Sequence, residues 1–159
     1  LIHLSKIGKI TLLKNVFSRV IIPAAVFREV VVKGREKAKI DAEIIATQPW
    51  ITQQQLTEKQ QEEVKALVKV ANIGLGEAEA IILAKHEKKA LLIDDAVGVQ
   101  VAKSFNIDTY WTTSVLFRAV HEEKITKEEA RTIVENLVQT GYRLKPEILI
   151  AILHKLSEK

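Results

Sequence analysis

The chain has 159 residues, 47% apolar and 28% charged, with no Cys, no Met, 3 Pro and 6 Gly. Apolar content excludes a disordered chain, scarce Pro and Gly exclude low complexity, and zero Cys excludes disulfide frameworks, thiolate zinc sites and thiol nucleophiles. The formal net charge is +4, unevenly spread: residues 1–40 hold nine bases against two acids, whereas residues 41–80 hold seven acids against three bases. The length suits one domain over residues 1–159, with a core that needs no staples.

The basic opening segment reads either as a footprint for a polyanion or as a solvated helical face. No apolar run approaches the roughly 18 residues of a membrane span, and lysines interrupt Leu1–Val20 in a way no signal peptide does. A cytoplasmic protein is the expectation. Because the sequence opens at Leu1 without Met, the expectation is also that a first strand precedes it.

In chain order, Ile2–Ile7 and Leu12–Phe17 read as two short helices joined near Gly8. Val20-Ile21-Ile22 is a β-branched run that stops at Pro23, a buried strand. Pro23 suits the first turn of a helix, whose apolar face is Val26, Val30 and Val31 up to Gly34. Lys37–Thr47 reads as helix and Trp50-Ile51 as a brief strand, while the polar Gln53–Gln61 stretch is expected to be mobile. Val64, Leu67, Val68 and Val70 form another helical stripe, which Gly74-Leu75-Gly76 interrupts. Glu77–Lys88 then forms an Ala-rich helix.

Ala90-Leu91-Leu92-Ile93 is the clearest strand, the kind of continuous apolar run found in a parallel sheet covered on both faces. Val97–Phe105 returns as helix and Ile107–Trp111 as strand. Thr126 and Glu129 have capping-box spacing, followed by Ala130, Ile133, Val134, Leu137 and Val138 on one helical face. Gly141 closes that helix and Pro146 opens the last, so residues 125–159 are helical. The alternation points to an α/β class with a mostly parallel sheet.

Asp occurs only at positions 41, 94, 95 and 108, and two of these follow the best strand directly. Ligands of open parallel sheets bind at the carboxyl ends of strands, where Asp94 and Asp95 could hold a hard divalent cation; capping the next helix is the competing reading. Glu77 and Glu79 follow the Gly-Leu-Gly break, with a favourable first-turn dipole as their competing reading. Two residues apart on a helix they face different ways, so one of them is expected at any shared site. Glu29 is a lone acid among valines, costly if buried without a partner. The four histidines are scattered one to an element, and Trp50 and Trp111 read as packing residues rather than base-stacking platforms.

The string LGEAEAIILA (Leu75–Ala84), then ALLIDD (Ala90–Asp95) and a helix containing Ala102, resembles the PIN domain. More narrowly it is similar to the prokaryotic PIN-like branch related to VapC-type toxins, as are LIHLSKIGKITLLKNVF at the start and VIIPAAVFREVV after it. The resemblance implies a three-layer α/β/α sandwich with a mostly parallel central sheet, and RNA phosphodiester hydrolysis by clustered acids with Mg²⁺ or Mn²⁺. It assigns the catalytic and metal-binding acids to Glu29, Glu77 (with Glu79 beside it) and Asp95 (with Asp94 beside it), and a hydroxyl role to Thr112. Lys6 and Lys9 of the basic opening segment, with Lys103, are the candidate bases for RNA.

Three departures accompany the resemblance. The family's first catalytic Asp would lie before Leu1. Trp111-Thr112-Thr113-Ser114 stands where the branch has Gly-Thr-x-Gly, and Gly98-Val99 where it has Ala-Arg. The implied partners are RNA, a small antitoxin protein and a second copy of the chain; Ile133, Leu137, Ile148, Ile152 and Leu156 either form that dimer face or complete the core. The readings are therefore a metal-dependent endoribonuclease, a catalytically impaired scaffold binding RNA or a protein, or a basic nucleic-acid regulator using Leu1–Lys39.

Overall fold

A computed structural model describes residues 1–36 and 40–158. Contacts divide the chain into two compact units: Leu1–Ser18 with the chain from Thr113 onward, and Arg19–Thr112.

The first unit is helical. Helices α1 (Ile2–Lys6) and α2 (Thr11–Val16) are separated by Gly8, whose φ of 67° takes the left-handed conformation that glycine adopts without strain. Helix α9 (Thr112–His121) leads to α10 (Lys127–Gln139) and α11 (Pro146–Ser157). Thr126 and Glu129 form the expected reciprocal capping box at the start of α10. Ile133, Leu137, Ile152 and Leu156 are buried within this single chain, while Ile148 stays 47% exposed. His3 meets Tyr142 edge-on at 5.3 Å, and Arg118 stands over the Phe17 ring.

The second unit carries the strands. Strand β1 (Val20–Pro23) pairs in parallel with β2 (Ile51–Gln54), Val20 opposite Ile51. Strand β3 (Leu91–Leu92) pairs in parallel with β4 (Thr109–Tyr110). The parallel α/β class is as expected, but the described strands form two two-stranded sheets rather than one central sheet. Their brevity is the physical reason. The bonds of Leu91 N to Asp108 O and Ile93 N to Tyr110 O extend the short β3–β4 ladder.

After β1 the chain enters α3 (Ala24–Phe27), a π-helical turn (Arg28–Val32) and α4 (Lys33–Glu36). Pro23 ends the strand and precedes the helix rather than sitting in its first turn. Residues 37–39 of the expected Lys37–Thr47 helix lie outside the described residues, and α5 (Ile40–Ala46) covers most of the rest. The stretch expected to be mobile is instead regular at both ends. Gln53 and Gln54 belong to β2, and Thr57 and Gln60 form a capping box at the start of α6 (Glu58–Ala71).

Helix α7 (Leu75–Glu87) packs against α3, α6, α8 (Ala96–Ser104) and β1. A helix with that many neighbours needs apolar residues on most sides, which its Ala- and Ile-rich sequence supplies. Ala78, Ile81 and Ile82 join Leu91, Ile93, Val99 and Ile107 in one core. Among the described residues no helix is long and apolar enough to cross a membrane.

Candidate functional site

The carboxyl end of β3 opens into a cleft of about 350 Å³ lined by Glu29, Glu77, Asp94 and Asp95, with apolar walls from Val26, Ala80 and Leu91–Ile93. Four of the acids singled out from the sequence thus line one cavity. Each arrives from a different local device.

Glu29 rides on the π-helical turn, whose extra residue per turn shifts it relative to a regular helix. Opposite it lies Gly76: a Cβ there would stand 3.3 Å from Glu29 Oε2 and 3.3 Å from Val26 Cγ2. That close approach accounts for the second glycine of Gly-Leu-Gly. Glu77 occupies the first turn of α7, where its Oε2 accepts from Gly74 N at 2.7 Å. Glu79, two residues on, faces away and is only 9% exposed. Its Oε2 accepts from Ala25 N at 2.7 Å, supplying from a distance the cap that α3 lacks in its own sequence.

At the end of β3 the two aspartates divide their work. Asp95 is the N-cap of α8, its Oδ1 accepting from Gly98 N at 2.7 Å. Asp94 reaches to Thr112, accepting from the backbone N at 2.8 Å and from Oγ1 at 2.7 Å. Thr112 is 3% exposed, so it acts on the cleft through Asp94 rather than by lining it.

The basic candidates are elsewhere. Lys103 is exposed in the last turn of α8 and is absent from the cleft lining, while Lys6 and Lys9 are exposed in the helical first unit. Trp50 is buried and donates from its ring to Gln48; Trp111 is 37% exposed.

Whether these acids suit a resident Mg²⁺ or Mn²⁺ is a question of convergence. Such an ion takes several oxygens into one shell. Among the described residues no three His, Asp or Glu side chains come together as an ion-holding group. Glu77, Asp94 and Asp95 each direct at least one oxygen at a donor of their own chain. As arranged, the donor set does not fit the metal.

The arrangement missed by the sequence reading lies at the opposite end of β3. There Lys85, Lys88 and Lys89 line a second pocket with Phe105, Asn106 and Asp108. The run Lys85–Lys89 was the available signal, masked by the near-balance of charge over that part of the chain.

None of the curated proteins and none of the solved structures matches the chain. A family model described as a PIN domain matches residues 1–158. With nearly the whole length covered, the chain belongs to the PIN-domain family.

Proposed function

We propose that this chain is a PIN-like scaffold whose acidic cleft receives a cationic segment of a protein partner, in place of metal-dependent RNA cleavage. The single observation that carries the reading is the use to which the cleft acids are put. Glu77, Asp94 and Asp95 accept from Gly74, Thr112 and Gly98, so they hold backbone in place instead of converging on an ion. Four carboxylates, with no base lining the cleft among the described residues, repel a bare phosphodiester. A carboxylate has about four lone-pair sites, so acceptor capacity remains for a guanidinium or ammonium group. The aliphatic stem of such a side chain matches the walls at Val26, Ala80 and Leu92. A small antitoxin-like protein with a basic segment is the partner class, in keeping with the toxin-like branch that the sequence resembles.

The ribonuclease reading draws on a different observation: four acids line one cleft at the carboxyl end of a parallel strand, where such sheets bind ligands. Titration calorimetry with Mn²⁺ and with an arginine-rich peptide, on the unmodified protein and on Asp95→Asn, separates the two. The scaffold reading expects no saturable Mn²⁺ uptake, together with peptide binding that Asp95→Asn weakens several-fold. Saturable Mn²⁺ binding that the same substitution abolishes would overturn it and reinstate the nuclease.

A further inference from the structure

We propose that the pocket at the amino-terminal end of β3 is a binding site for a phosphate group. It encloses about 230 Å³ between the end of α7 and the turn joining α8 to β4. Three lysines line it (Lys85, Lys88 and Lys89) against one acid, Asp108, with Phe105 and Asn106 completing the wall.

Lysines at the end of a helix ordinarily compensate its exposed carbonyls. Here the backbone does much of that itself. Ala84 O at the end of α7 accepts from the backbone N of both Lys88 and Lys89. At the end of α8, Ala102 O accepts from Phe105 and Ile107, and Lys103 O from Phe105 and Asn106. Two left-handed residues, Lys88 at φ 50° and Asn106 at φ 58°, make these closures and shape the pocket rim.

The lysine side chains are therefore not all consumed by the fold. Lys85 is fixed in the wall by its 2.7 Å ion pair to Glu63 and by the Phe105 ring beneath it at 4.9 Å. Lys88 and Lys89 form no ion pair among the described residues. Two unpaired ammonium groups beside a third, with an amide at Asn106 as a further donor, are the chemistry that recognises a phosphate. The phosphate belongs either to a free nucleotide or to a single-stranded RNA backbone. This inference stands independently of the acidic cleft, which lies at the other end of the strand.

The test uses the full chain and the paired substitution Lys88→Gln with Lys89→Gln. Amide shifts in ¹⁵N spectra are followed with inorganic phosphate and adenosine monophosphate, and anisotropy with a labelled single-stranded RNA. Saturable shifts at residues 84–89 and 105–108, lost in the paired variant, are expected. If RNA is the source, its affinity falls at least tenfold in that variant, and the salt dependence flattens by about 1.4 in log–log slope. If a free nucleotide is the source, the small probes shift these amides and RNA does not bind there. Asp108→Asn removes the acid that lines the pocket and tightens phosphate binding, which keeps the test informative should the paired variant fold poorly. Absence of saturable shifts with every probe, or shifts that survive the paired substitution, would overturn the site.

Discussion

The two ends of β3 carry opposite charge and use it in opposite ways. At the carboxyl end, Asp94 and Asp95 turn onto the backbone of Thr112 and Gly98. At the amino end, the backbone around Lys88 closes on Ala84, Lys85 pairs with Glu63, and Lys88 and Lys89 stay exposed without an ion pair among the described residues. Charge at the acidic end is thus part of the architecture, whereas at the basic end the charges of Lys88 and Lys89 are surplus to it. A charged cluster has a structural role at the end that the sequence marks as a site, and leaves Lys88 and Lys89 without an ion pair among the described residues at the other.

The contrast can be broken most directly at Asp94. Replacing it by Ala strands two donors of Thr112, a residue only 3% exposed. Bonds to a charged acceptor are worth about 1.5–3 kcal/mol, so a loss of about 3 kcal/mol is expected in urea unfolding. A change within experimental scatter of the unmodified protein would show that the acidic end is not architectural. Glu79→Ala comes next, with about 2 kcal/mol lost because Ala25 N is left without its acceptor, and Glu79→Gln should recover part of it.

Asp95→Ala removes an N-cap at a cost of about 1 kcal/mol, and Asp95→Ser should restore most of that. At the basic end, the paired glutamine substitutions should change stability by no more than about 0.5 kcal/mol, the norm for exposed positions. A larger loss there would erase the difference between the two ends.

The smallest expected effect concerns pH. The Lys85 ammonium bonded to Glu63, helped by His86 and opposed by desolvation, holds the Glu63 carboxyl below its ordinary value. A carboxyl depressed in the folded state contributes stability that is complete above its unfolded pKa, about 4.3, and is lost as pH falls through the lower folded value. Glu63→Gln should therefore remove part of the acid-side slope when urea midpoints are compared between about pH 5 and pH 3. An unchanged slope would mean that Lys85 is not held by this pair in solution.

Local devices were legible in the sequence because their causes are local. The β-branched Val20–Ile22 run, the capping box of Thr126 and Glu129, and the separate faces of Glu77 and Glu79 all follow from spacing. The Thr57–Gln60 box had the same signature, but the surrounding glutamines pointed to mobility. Strand partnership was not legible, since two-residue β3 and β4 leave almost no pattern to register. The roles of the acids also depended on distant groups: Ala25 lies 54 residues from Glu79, and Thr112 lies 18 from Asp94. Capping competed with ligation for Asp95 in the sequence, and only the bond to Gly98 distinguishes what that oxygen does.

Lys88 has one more consequence. A side chain at φ 50° sits in backbone space that costs a non-glycine residue about 1–2 kcal/mol, and glycine is the usual occupant of such a helix end. Lys88→Gly should raise the melting temperature while removing a cation from the pocket. Selection of random variants for heat resistance and selection for phosphate capture would therefore push position 88 in opposite directions.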